Sequence, residues 1–153
     1  MSALIDSINK HDSKRAIALI REGYPMYRDF YTYSPLQHAI INNMEDVALE
    51  ILRQGCPLYS ATDIPHVSEL DLACEHDLFP VAVWLIELGM EGDHWCDQLE
   101  ELVEERIELV TQMERDLIVI GFPKRAAKEI CDFECGRVFL GRYLIEKRNV
   151  RED

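Results

Sequence analysis

Five histidines, His11, His38, His66, His76 and His94, and five cysteines are the residues of this chain whose types suit catalysis or metal binding. Their spacing argues against most such chemistry. No two histidines stand in His-Glu-x-x-His register, and no Gly-x-Ser-x-Gly elbow or phosphate-cradling glycine loop occurs. Glu75-His76-Asp77 is a dense polar triplet, but consecutive residues on a helix point in different directions, so it reads as a helix end running into a turn. The one arrangement with the donors of a structural zinc site is His94 and Cys96 with Cys131 and Cys135. Cys131-x-x-x-Cys135 can put two thiols on one helix face. The spacing is not that of a common finger, however, and cysteine is often a buried, inert apolar residue. No catalytic residue, metal or cofactor is therefore assigned.

The elements that hold these residues follow a repeat. Ser34-Pro35-Leu36-Gln37-His38-Ala39, then Asn43, then Ile51-Leu52-Arg53-Gln54-Gly55 is the clearest copy. A second begins at Ser68, with Leu70, Ala73, Asp77 and Leu85-Ile86-Glu87-Leu88-Gly89. A weaker one begins at Leu4, with Ile8, His11 and Leu19-Ile20-Arg21-Glu22-Gly23. The closing glycines lie 32 and 34 residues apart. Self-similarity at such a period marks a stacked array, and such arrays commonly serve as extended binding surfaces.

Each copy reads as two short helices. Leu36, Ala39 and Ile40 make one apolar stripe, and Val47, Ala48, Ile51 and Leu52 make another. Ala39 and Ala73 are small enough to let neighbouring helices approach closely. Between the helices stand His11, Asn43 and Asp77, and Asn and Asp tolerate the left-handed backbone better than most residues. Gly23, Gly55 and Gly89 suit the residue that closes a helix, and Pro80 suits a helix start. No copy can bury its apolar side alone, so the copies must stack.

These residues resemble the ankyrin repeat, whose core runs Thr-Pro-Leu-His-x-Ala-Ala, then Gly, then a helix ending Leu-Leu-x-x-Gly-Ala. In the middle copy Ser34 stands for the Thr, Pro35 and Leu36 match, and Gln37 replaces the His. Ala39, Val47, Ile51, Leu52 and Gly55 fit as well, while Cys56 stands where the family has Ala. The repeat-opening Asp falls on Asp29 and Asp63. The third copy departs further, with Glu69 for Pro and Asp71 for His. The first lacks the Thr-Pro-Leu signature, as an end cap would. The resemblance covers about residues 2–92, in copies of about 2–29, 29–62 and 63–92. It implies an all-α fold of about three stacked helix-turn-helix repeats and a non-catalytic protein-protein interaction module, an adaptor or an inhibitor. It also implies where a protein partner binds: the inter-repeat tips Phe30, Tyr31, Tyr33, Ile64, Pro65 and Val67, and the first-helix positions His38, Ile41, Asn42, Leu72, Glu75 and His76. A short array of this kind also suits a pathogen or viral protein that redirects a host complex.

Residues 24–33 carry five aromatics in ten positions. Aromatic residues concentrate binding energy at interfaces, although some of these rings can simply fill the space beneath the loop.

Residues 93–153 match no family by their motifs. Leu99, Leu102, Val103, Leu109, Val110, Met113, Leu117 and Ile120 step by threes and fours, which predicts one long amphipathic helix over about 97–120. Gly121-Phe122-Pro123 breaks it. Shorter helices follow over about 124–133 and 138–147. Together they are expected to cap the last repeat, since an array must shield its open end, and a monomer is expected. Glu100, Glu101, Glu104, Glu105 and Glu108 form an acidic surface on the long helix. Like charges one turn apart weaken a helix. The cluster is therefore either a solvated face or a mimic of a nucleic-acid backbone that blocks a nucleic-acid-processing enzyme.

The formal net charge is −13, which argues against direct binding to nucleic acid or to an anionic membrane. Residues 93–121 alone hold nine acids against two bases, whereas residues 122–153 hold six against eight. No apolar run reaches membrane-spanning length. Met1-Ser2-Ala3-Leu4 does not open like a signal peptide, and an odd cysteine count suits reduced thiols. The expected compartment is the cytoplasm, the host cytosol if the source is a pathogen or virus.

Overall fold

The computed structural model describes residues 3–25, 33–56, 68–92 and 94–152, and every regular element among them is helical. In chain order they are α1 (Ala3–Asn9), α2 (Ser13–Arg21), α3 (Pro35–Ile41), α4 (Glu45–Gln54), α5 (Glu69–Glu75), α6 (Phe79–Glu87), α7 (Asp97–Val119), α8 (Lys124–Glu129), a π-helical turn over Ile130–Glu134, and α9 (Arg137–Glu152). None is long and apolar enough to cross a membrane. The chain divides into two compact units, 1–81 and 82–153, with the boundary inside α6.

In the first unit one turn is built three times. His11, Asn43 and Asp77 all have φ of 57°. At each, two backbone N–H groups reach back over the helix end. Asn43 N–H donates to the Ile40 carbonyl and Met44 N–H to the Ala39 carbonyl; the His11/Asp12 and Asp77/Leu78 pairs do the same. This double bond is the Schellman closure of a helix. It satisfies the last carbonyls of α1, α3 and α5 and turns the chain sharply into the next helix. The left-handed residue expected from the sequence at these three positions is therefore present at all three.

The starts of the helices are equally local. Ser34 and Gln37 form a reciprocal capping box on α3, with Pro35 in its first turn. Ser68 accepts from the Asp71 N–H at the start of α5, and Asp12 from the Arg15 N–H at the start of α2.

Packing follows the apolar stripes. α1 lies against α3 and α3 against α5, while α2 lies against α4, so first helices and second helices form separate rows. Leu36, Ala39, Ile40, Val47, Ala48, Ile51, Leu70 and Ala73 are buried, as their spacing predicts. Burying a leucine or isoleucine side chain contributes roughly 1.5–3 kcal/mol. One charged group joins the second-helix row. Glu50 of α4 is buried, accepts from Arg21 Nε of α2 (3.1 Å) and Gln54 Nε2 (3.0 Å), and also pairs with Arg53. These bonds, Gln54 and Arg21 first, hold its carboxyl below the usual glutamate range.

In the second unit α7 packs against α8, the π turn and α9. Arg137 ties three elements together, donating to Asp132 (2.7 Å), Glu114 (3.1 Å) and Thr111 (3.4 Å). Arg106 of α7 pairs with Glu87 at the end of α6, and the Phe139 ring lies beside Gly89. Tyr143 hydroxyl donates to the His94 carbonyl, and its ring sits 5.7 Å from that of Trp95. The tightest approach is at Gly136. Its φ is +75°, and a Cβ there would fall 2.7 Å from the Glu87 Cα and closer still to the Glu87 carbonyl oxygen.

Three features differ from the sequence reading. The helix expected over 124–133 ends at Glu129 and continues as a π turn, and the last helix runs well beyond 147. The apolar residues of α7 also do not form one buried stripe: Leu99, Val103 and Val110 are buried, while Leu109, Met113 and Ile120 are exposed. Residues 102, 109, 113 and 120 fall on a flank that the inward-facing residues do not occupy.

Gly136→Ala is expected to lower the unfolding free energy by about 2–4 kcal/mol, because backbone strain and steric overlap combine. Gly141→Ala, which meets nothing within 4 Å inside α9, is expected to raise it by up to about 1 kcal/mol. Urea titrations of the two variants check both signs. Glu50 supplies a pH dependence. Because its folded pKa is depressed, the unfolded chain binds the extra proton, so its stabilisation is full above the ordinary value of 4.5 and is lost as pH falls through the folded value. Between neutral pH and the acid range, Glu50→Gln should therefore lose less stability than the parent chain, measured as the shift in urea midpoint.

Candidate protein-binding surface

The N-terminal end of α3 organises the described part of the first predicted surface. Its capping box buries Ser34 and Gln37 and fixes the direction in which the preceding residue leaves the helix. That residue, Tyr33, is 38% exposed, and its ring meets His38 edge-to-face at 6.0 Å. Burial lowers the His38 pKa, which favours the neutral imidazole. Tyr33 and His38 thus present an edge-to-face aromatic pair at the helix start.

The rest of the α3 face is mixed. Ile41 and Asn42 are half-buried, and Asn42 Nδ2 donates to the His38 carbonyl at 2.8 Å while lying 3.5 Å from Asn9 Oδ1 of α1. On α5, Leu72 and His76 are half-buried and Glu75 is exposed. Because α3 and α5 are neighbours in one row, the two sets belong to adjacent helices. Phe30, Tyr31, Ile64, Pro65 and Val67, with the repeat-opening Asp29 and Asp63, lie outside the described residues. Within the aromatic stretch, Tyr24 has a different use: its hydroxyl accepts from the Ala3 N–H at 3.1 Å and ties the stretch to α1.

The polar triplet at the end of α5 has the geometry of a turn. Glu75 is the last helical residue, His76 caps it, and Asp77 is the left-handed residue of the closure. The donors considered for zinc do not gather either. Among the described residues, no three His, Cys, Asp or Glu side chains converge as metal ligands. Cys131 is buried inside the π turn, and burial raises its thiol pKa.

The acidic surface on α7 is divided by its surroundings. Arg148 of α9 reaches both Glu100 (2.8 Å) and Glu104. Those two carboxylates hold α9 in place. Glu101, Glu105 and Glu108 remain exposed. The sequence does not reveal this division, because Arg148 lies far along the chain from the glutamates it pairs with.

The chain matches no protein-family model, no curated protein and no solved structure.

Cys56, next to Gly55, is half-buried. Burial, reinforced by the Glu69 carboxylate, pushes its pKa up to about 12. At pH 8 only about one thiol in ten thousand would then be the reactive thiolate. Iodoacetamide treatment of the folded chain at that pH, followed by peptide mapping, should leave Cys56 unmodified and label it fully once the chain is unfolded.

Proposed function

We propose that this chain is a non-catalytic protein-interaction module of the ankyrin-repeat type, an adaptor or inhibitor acting in the cytoplasm. In this reading it grips a protein partner through the tips between repeats and the outer positions of α3 and α5. The observation that carries the reading is the triple recurrence of one helix closure, at His11, Asn43 and Asp77. That closure repeats at the spacing of the sequence motif and brings α1, α3 and α5 into one row. A row of short parallel helices, each with the same positions turned outward, offers a partner a surface read from several copies at once. The Tyr33–His38 pair gives it an aromatic anchor, the kind of group in which binding energy concentrates.

Fold does not name the partner, since one scaffold of this kind serves many. The Arg148 bridge disfavours the nucleic-acid-mimicking alternative, because two of its five carboxylates are neutralised within the chain.

The test is affinity capture with quantitative mass spectrometry, comparing the parent chain with the triple variant Phe30→Ala, Tyr31→Ala, Tyr33→Ala. Truncating anchors of this type costs about 2 kcal/mol or more each, so the specific partner should fall at least roughly tenfold in the variant. Equal capture by both chains, with the variant still helical by circular dichroism, would overturn the reading.

A further inference from the structure

A row of exposed apolar residues runs along α7 on the flank that its own unit leaves uncovered. Leu109, Met113 and Ile120 are 54%, 38% and 72% exposed, and the half-buried Leu102 extends the row. At ~100° per residue these four fall within a strip ~40° wide, turned ~80° from the buried Leu99, Val103 and Val110. The strip is ~27 Å long at 1.5 Å per residue. Its steps of seven, four and seven residues keep heptad register, with Arg106 and Asp116 at the two intervening seam positions. Single exposed apolar residues need no explanation, but an aligned row of them marks an interaction face.

The charges beside the strip identify what fits it. Glu105 borders it, with Glu101 and Glu108 together one row further out on the same side; all three are exposed and make no ion pair with any described residue. The two bases of the same segment are engaged elsewhere, Arg106 with Glu87 and Arg115 with Gln112. A second copy of α7 would bring the same carboxylates against these, and like charges flanking a seam reject such pairing. The chain also shows what this helix accepts. On its other flank α9 is a basic amphipathic helix whose Arg148 spans Glu100 and Glu104, one helical turn apart. Glu101 and Glu105 repeat that one-turn spacing on the open side.

We propose that the Leu102–Ile120 strip of α7 docks a basic amphipathic helix of a partner protein, with apolar residues seated along the seam and lysine or arginine side chains over Glu101 and Glu105. This is helix-on-helix recognition. It uses residues other than those proposed for the repeat surface, and either surface can fail without the other.

The test uses the full chain and two synthetic three-heptad peptides with the same leucine seam, one flanked by lysines and one by glutamates. Fluorescence anisotropy should show the lysine peptide binding and the glutamate peptide failing to bind. Raising salt from about 50 to about 500 mM should weaken the complex at least ~tenfold, because exposed charge pairs are screened. Leu109→Asp with Met113→Asp should weaken it at least ~tenfold, and Glu101→Lys, Glu105→Lys, Glu108→Lys should reverse the preference toward the glutamate peptide. The Phe30, Tyr31, Tyr33 alanine variant should bind the lysine peptide like the parent chain. Undiminished binding by the aspartate variant would mean that charge alone is being read, and failure of the lysine-substituted variant to switch partners would mean the strip is not the site. Either result overturns the proposal. So does a parent chain that sediments as a dimer and becomes monomeric on aspartate substitution, since the occupant is then a second copy.

Discussion

The first unit rests on one backbone constraint: each first helix must end in a residue that accepts φ near +57°. Only there can the following N–H groups turn back and satisfy the helix's last carbonyls while the chain reverses direction. Without that turn the two helices of a pair cannot lie together, and their apolar stripes stay in water. A β-branched residue would resist it, and glycine would take it with least strain. The chain uses His, Asn and Asp instead. Their polar side chains accept the conformation at modest cost and leave the unfolded chain less free than glycine would.

Once the turn is set, burial does the rest. Leu36, Ala39 and Ile40 of α3 and Val47, Ala48 and Ile51 of α4 are buried where α3 meets α1, α4 and α5 and α4 meets α2 and α3. Ala39 and Ala73 matter for their size, because a larger side chain at a helix crossing separates the axes. Glu50 is the exception to an apolar interior. A buried carboxylate is costly unless every oxygen finds a donor, and Arg21, Arg53 and Gln54 provide them. The pair between Arg21 of α2 and Glu50 of α4 therefore links the two second helices while satisfying a carboxylate that burial would otherwise penalise.

Much of this was legible because it is local. The turns at 11, 43 and 77 and the helix-closing glycines involve residues a few positions apart, so residue type and spacing expose them. α7 was legible for the same reason, since its period persists from Asp97 to Val119. What the sequence hid depends on residues distant in the chain. Nothing around Glu100 announces Arg148. Nothing around Glu87 announces that Gly136 must lie against its backbone. The π turn at Ile130–Glu134 is likewise invisible to a periodicity of 3.6, which registers only that the region is helical.

The division of α7 into two apolar flanks is the least legible feature and the most consequential. Residues spaced by threes and fours were summed into one stripe, yet positions 99, 103 and 110 and positions 102, 109, 113 and 120 drift apart around the helix. A helix that serves only to close an array needs one apolar face. Keeping a second one exposed carries an aggregation hazard. The carboxylates of Glu101 and Glu105 offset it against copies of the chain itself, since two such flanks repel. They leave the face open to a helix of opposite charge. The same acidic residues that weaken α7 as an isolated helix therefore make its exposed seam selective.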